Sequence, residues 1–269
     1  MKQNKAKKLR DKIIGTFVKQ LKDSPFFRSE FLRSLKESLS ILEGRRSIQS
    51  IICYGLGSFS QSVDIASRYQ LALLVLLYQH LLDLRHELSQ FVEIYDPSFD
   101  DIDRSTLLLF ESPKFKIITE NELCARSLAR ERADRVTLVY MPHMDKHFYN
   151  NLLGANWSQQ GLKSMIILGN SFGEMIDTEI ARSRRQRELH YINTLVNNFE
   201  SNGSDNLHRP AKNKGEKALI ETKIDDSSFE HSDVFNNLSF HSVCDIWVQE
   251  NSPKISLHRL KSWQPSDSS

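Results

Sequence analysis

The chain has 269 residues, 39% of them apolar and 26% charged, which supplies one large folded core and excludes a chain disordered throughout. A formal charge of +2 gives no global argument for a nucleic-acid or acidic-membrane partner, although Lys2, Lys5, Lys7, Lys8 and Arg10 crowd one end and Arg182, Arg184, Arg185 and Arg187 form a second cluster. The three cysteines (Cys53, Cys124, Cys244) have no zinc or redox spacing, no apolar stretch follows the N-terminal lysines, and the apolar run 71–77 is too short to span a bilayer, so a soluble intracellular protein is expected.

Residues 1–47 are charged and helical in pattern. Phe17, Leu21, Phe27, Phe31, Leu32 and Leu35 recur at helical spacing, and Pro25 divides the stretch into two helices expected to pack outside a sheet. A core domain is expected over 48–248. Residues 51–54 are a short apolar run closed by Gly55, which suits a buried strand. A long helix is predicted over 62–89, apolar all round at 71–77 and therefore buried. Strand 91–95 follows, stopped by Asp96-Pro97, then a helix over 101–111, a strand over 115–119 and a helix near 121–131. A strand over 136–140 ends in Met141-Pro142-His143. A helix over 145–153 leads to a strand over 165–168, ended by Gly169-Asn170-Ser171, and a long helix over 173–199. Residues 202–233 are polar and read as a mobile loop. Residues 235–248 are apolar enough for a returning strand at the sheet edge, and 249–269 form a polar tail.

Five alternations of strand and helix predict an α/β fold with a doubly wound, mostly parallel, Rossmann-like sheet, with 3-2-1-4-5 as the leading strand order. Ligands of such sheets bind beyond the carboxyl ends of the strands. The residues gathered there are Gly55, Gly57, Ser58, Asp96, His143, Asn170 and Ser171, the candidate ligand-binding set.

Each candidate reads two ways. Gly55-Leu56-Gly57 can cradle a phosphate or ribose, or be a tight turn with no ligand. Ser60 stands where a third fingerprint glycine belongs, and Asp96 follows Gly55 by about 40 residues rather than about 20. Asp96 can accept from ribose hydroxyls or cap the next helix. His143 and His147, four apart, can share a metal, or His143 can act as an acid–base group; a hydrogen-bonding structural histidine is the simpler reading. Gly169-Asn170-Ser171-Phe172-Gly173 fits Gly-x-Ser-x-Gly, but only His231 or His241 is available downstream, so Ser171 is not read as a hydrolase nucleophile. The basic clusters can be a nuclear signal, an anion patch or a solvated helix face.

Cys53-Tyr54-Gly55-Leu56-Gly57-Ser58-Phe59, Ser67-Arg68-Tyr69-Gln70-Leu71-Ala72, Tyr95-Asp96-Pro97, Met141-Pro142-His143, Gly169-Asn170-Ser171-Phe172 and, more loosely, Phe235-Asn236-Asn237-Leu238 together resemble the Sensitivity to Red Light Reduced family over about residues 48–248. The resemblance implies a regulatory protein acting in circadian clock input, clock-gene expression and haem biosynthesis, cytoplasmic with some nuclear presence. It implies no catalytic residues and names no cofactor. None of the cysteines precedes proline, so the dipeptide of haem-regulatory motifs is absent. The expectation is a regulator with unidentified protein partners, more regulator than enzyme. The alternative is an enzyme or metabolite sensor holding a nucleotide or S-adenosylmethionine at the strand ends.

Overall fold

The computed structural model describes residues 2–40, 42, 47–61, 65–128, 135–179, 188–197, 219–231 and 233–243. Its strands are β1 (Ser47–Tyr54), β2 (Phe91–Tyr95), β3 (Lys114–Ile117), β4 (Arg135–Met141), β5 (Met165–Asn170), β6 (Leu219–Lys223) and β7 (Leu238–Val243). They form one sheet in the order β3-β2-β1-β4-β5-β7-β6. The first five positions are parallel, as expected, and reproduce 3-2-1-4-5. The order turns between β1 and β4, which is the switch point of a doubly wound sheet. β7 then joins β5 antiparallel and β6 joins β7 antiparallel.

The returning strand therefore lies inside the sheet rather than at its edge. The edge is β6, inside the stretch read as loop. Leu219 and Ile220 are its only apolar residues, and the ladder to β7 makes it a strand where local pattern is too short to announce one.

Alternation along the strands splits the core into two. Ile51, Cys53, Val92, Ile94, Leu138, Tyr140, Ile166, Leu168 and Phe240 face one side; Ile52, Tyr54, Val139, Met141, Met165 and Ile167 face the other. On the first face lies α4 (Ile65–Asp83), covered in turn by the N-terminal helices. Cover on both sides explains why its sequence is apolar all round. It ends sooner than the apolar pattern suggested. Arg85 adopts φ 63, and His86 and Arg85 donate amides to Leu81 and Leu82, a left-handed helix stop.

The N-terminal segment is two helices broken at Ser24-Pro25. The first runs from α1 (Lys2–Lys12) through a π-helical turn (Ile13–Val18) into α2 (Lys19–Asp23). The second runs from another π-helical turn (Phe26–Phe31) into α3 (Leu32–Ser40). Phe26 stacks on Phe235 with centroids 4.7 Å apart, and Phe31 packs against Phe240, so the N-terminal helices and the β7 segment close the same face.

The opposite face is covered by α6 (Lys146–Ala155), α8 (Phe172–Thr178) and α9 (His190–Asn197), while α7 (Gln159–Lys163) precedes β5. Between β2 and β3 runs α5 (Asp101–Leu107). The helix expected over 173–199 is interrupted. It stops at Thr178, Glu179 is extended with ψ 97, and a new helix begins further on. Lys146 pairs with Glu179 at that break. Residues 121–128 are not helical either. Leu123 and Cys124 have φ 49 and 57, and the carbonyl of Leu123 accepts from the Asn151 side chain instead of a helical amide. The rest of that stretch, the arginine cluster 182–187 and most of the polar segment at 202–218 lie outside the described residues. Among the described residues no helix is long and apolar enough to cross a membrane.

Candidate functional site

At the carboxyl end of β1 the chain turns through Gly55 and Gly57, with φ 73 and 78, values only glycine adopts without strain. The Gly55 amide donates to the carbonyl of Tyr95 at 3.2 Å and ties the ends of β1 and β2. The Gly57 amide donates to Asp96 Oδ2 at 2.7 Å. Asp96 Oδ1 accepts from the amide and the hydroxyl of Ser98, at 2.8 and 2.6 Å. Asp96 is 2% exposed, and its oxygens are spent inside the protein.

The cap of α5 is Asp100, not Asp96. Asp100 and Asp103 exchange side-chain-to-amide bonds in a capping box. Asp103 also reaches the glycine turn. Its Oδ1 accepts from the amides of Phe59 and Ser60 at 3.2 and 2.8 Å, and its Oδ2 accepts from Ser58 Oγ at 2.7 Å. Asp103 is fully buried, and burial raises its pKa. The carbonyls of the same turn are held from α4: Arg68 Nε donates to Phe59 O at 2.9 Å and Nη2 to Gln61 O at 2.7 Å. In a phosphate-binding turn the free amides face the ligand. Here two carboxylates of the chain occupy the anion's place.

The second group lies past β4 and β5. His143, at φ 52, donates its amide to Asn170 Oδ1 at 2.9 Å, and its Nε2 meets the carbonyl of Val234 at 2.9 Å. Tyr149 Oη donates to the carbonyl of Met141 and accepts from the Asn170 amide at 2.9 Å. A Cβ on Gly169 would stand 2.6 Å from that hydroxyl, so the glycine admits the tyrosine. Ser171 is 1% exposed; its Oγ accepts from the Glu174 amide at 3.2 Å and caps α8. His241 stacks on Phe172 with centroids 3.8 Å apart. Its Nε2 faces the Asn170 carbonyl at 3.0 Å, and its Nδ1 stands 4.0 Å from Glu221 Oε2. Burial pushes the His241 pKa down to about 4. Ser171, Glu221 and His241 follow the chain order of a hydrolase triad. The serine oxygen is nevertheless used as a cap, and the histidine nitrogen that would take its proton is bonded to a carbonyl. His147 Nδ1 lies 3.8 Å from Asp145, and among the described residues no group of three or more His, Cys, Asp or Glu is placed to hold a metal ion.

Beside the glycine turn is a small cleft, open to solvent and with room for about one water, walled by Tyr54, Tyr95, Pro97, Asn121, Met144 and Phe148. Met144 lies across Gly55: a Cβ there would stand 1.8 Å from its sulfur. Behind the cleft Tyr54 Oη donates to Glu122 at 2.8 Å, and Arg126 bonds both Glu122 and Glu93, at 2.6 and 2.5 Å. Burial and the Glu122 bond both raise the Tyr54 pKa.

The candidates thus fall in two places, Gly55, Gly57, Ser58 and Asp96 at the glycine turn and His143, Asn170 and Ser171 past β4 and β5; the bonds that join candidates directly are Gly57 to Asp96 and His143 to Asn170. Sequence reasoning missed Asp103, Met144, Glu122 and Arg126. Only Asp103 carried a signal, the Asp-x-x-Asp spacing of a capping box with Asp100.

The SRR1 domain matches residues 19–242. A mouse (Mus musculus) protein named SRR1-like protein is 34% identical over 131 residues, covering 49% of this chain and 47% of that one. A fruit-fly (Drosophila melanogaster) SRR1-like protein is 26% identical over 213 residues, 79% of this chain and 62% of that one. The Arabidopsis thaliana Protein SENSITIVITY TO RED LIGHT REDUCED 1 is 28% identical over 169 residues, 61% of this chain and 56% of that one. The matches span 47–62% of the length of these relatives.

Proposed function

The chain belongs to the SRR1 domain family, and from that premise we propose that it is a regulatory protein whose Rossmann-like sheet serves as a scaffold for protein partners. In the finer form of the proposal it acts in circadian clock input, clock-gene expression and the control of haem biosynthesis, in the cytoplasm and also in the nucleus. The name of the Arabidopsis relative, sensitivity to red light, supports a role in light signalling.

One observation carries the preference for regulation over nucleotide chemistry. The amides of Gly57, Phe59 and Ser60, the groups that would bind a pyrophosphate, are bonded to Asp96 and Asp103. Seating a phosphate there would require two buried carboxylates to leave and a dianion to take their place. The conspicuous family motifs instead hold strand ends together, as a scaffold requires.

The test is a gene deletion in the source organism, restored with the wild-type chain or with the exposed N-terminal lysines replaced as a control. The proposal expects the deletion to change the period or amplitude of a clock-controlled transcript and the cellular haem level, and the wild-type chain to restore both. Unchanged rhythm and unchanged haem would refute the finer form. A thermal-shift series with NAD, NADP and ATP is expected to leave the melting temperature where it is; a saturable rise with any of them would return the nucleotide-binding reading.

A further inference from the structure

We propose that the exposed lysines of the first N-terminal helix form a docking face for an acidic segment of a partner protein. The proposal rests on the regulatory reading for the class of partner and adds the chemistry by which that partner is recognised.

The helix that runs from Lys2 to Asp23 closes the core with one side, where Ala6, Ile13, Phe17 and Leu21 are buried. Its outer side is cationic. Lys5, Lys7, Lys8, Lys12, Lys19 and Lys22 are all exposed. The acids of the helix do not neutralise them, because Asp11 pairs with Arg10 and Asp23 with Arg28. Lys2 reaches across to Asp101 on α5. The other lysines have no ion pair or hydrogen-bond partner among the described residues.

This arrangement works against the helix that carries it. Lys5, Lys8 and Lys12 follow one another at three and four residues, and Lys19 and Lys22 at three, so like charges stand on neighbouring positions of the helix surface. α1 has no acidic residue in its first turn, where a carboxylate would favour the helix dipole and a lysine opposes it. Glutamine would solvate the same face, with similar helix propensity and without the repulsion. Unpartnered charge held at a local cost marks a surface that meets opposite charge outside the chain.

The chemistry of the face selects among polyanions. The apolar side of the helix is spent on the core, and Ile14 alone of its large apolar residues is exposed, so little is left to enter a bilayer. Its one aromatic ring, Phe17, is buried and offers no base a stacking surface. None of the unpaired cations is an arginine able to fork onto phosphate or guanine. Flexible point charges suit carboxylates. Aspartates or glutamates three and four residues apart on a partner helix repeat at the spacing of the lysines.

The test measures fluorescence anisotropy of labelled decaglutamate with the full chain. Decaglutamate is expected to bind at low salt and to be released as salt rises, because exposed charges are screened. A variant carrying Lys5→Gln, Lys8→Gln and Lys12→Gln together is expected to bind about tenfold more weakly. It should melt no lower than the wild type, since glutamine relieves the repulsion. No binding by the wild type overturns the proposal, as does undiminished binding by the triple variant. A triple variant that melts lower shows that the lysines serve the fold, and also overturns it. Tighter binding of phosphatidylserine-containing vesicles or of duplex DNA, at equal concentration of anionic groups, overturns the choice of partner. Full restoration of the deletion phenotype by the triple variant would refute the docking face and leave the regulatory reading intact, whereas failure of that reading shows in the deletion itself.

Discussion

The carboxylate of Asp96, at the end of β2, accepts a hydrogen bond from the amide of Gly57, past the end of β1, at 2.7 Å. This bond makes the glycine turn and the Asp-Pro turn one unit. Replacing Asp96, itself buried, by alanine leaves the half-buried Gly57 and Ser98 amides without their acceptor. The expected loss is about 2–4 kcal/mol of folding stability, with Asp96→Asn near half of that because one acceptor oxygen survives. Urea unfolding of the two variants measures both.

Arg68 holds the carbonyls of Phe59 and Gln61 while 6% exposed. Arg68→Met keeps the stem but removes both donors, and is expected to cost about 2–4 kcal/mol. Arg68→Lys restores at most one of the two bonds, because an ammonium cannot reproduce the forked geometry. Its stability should fall between those of the wild type and Arg68→Met.

His241 gives the protein a specific acid response. Burial lowers its pKa from 6.5 to about 4, so it stays neutral when folded over a range in which the unfolded chain binds the proton. A histidine with a depressed folded pKa imposes no penalty above pH 6.5. Its penalty grows as pH falls from about 6.5 towards 4, to about 3 kcal/mol. Urea unfolding at pH 7.5 and pH 4.5 should show this loss on top of other acid effects. In His241→Gln, which keeps a donor for the Asn170 carbonyl, the difference between the two pH values should shrink by most of that amount.

Gly55→Ala meets two obstacles, a φ of 73 and the sulfur of Met144 at 1.8 Å. The backbone strain alone is worth about 1–2 kcal/mol. Because Met144 is flexible, the double variant Gly55→Ala with Met144→Ala should recover the steric part and leave the strain. A double-mutant cycle reads this as a favourable coupling between the two substitutions.

The parallel half of the fold was legible because it is written locally. Apolar runs such as 51–54 and 165–168 end in glycine or proline turns, and each is followed by a helical stretch. The antiparallel half was less legible because β6 owes its existence to a ladder with β7, a long-range pairing that two apolar residues cannot announce. The break after Thr178 and the absent helix at 121–128 share one cause. Both places are shaped by tertiary partners, Lys146 for Glu179 and Asn151 for Leu123, which override helical propensity.

The candidate residues were legible as a set because turn residues at strand ends stand out in sequence. Their engagement was not, since Asp96 and Asp103 fill the glycine turn only once α5 has folded beside it. By its place in the sequence Asp96 suits a ribose acceptor or a helix cap, and in the structure it holds Gly57. The cap belongs to Asp100.

The most direct test of the account is an amide NMR titration of the nitrogen-15-labelled protein with inorganic pyrophosphate at constant ionic strength, following Gly57, Phe59 and Ser60. The account predicts that these three resonances stay in place, because their hydrogens already point to Asp96 and Asp103. Saturable movement of the three amides together would show that the turn releases its own carboxylates for phosphate, and would contradict the scaffold reading.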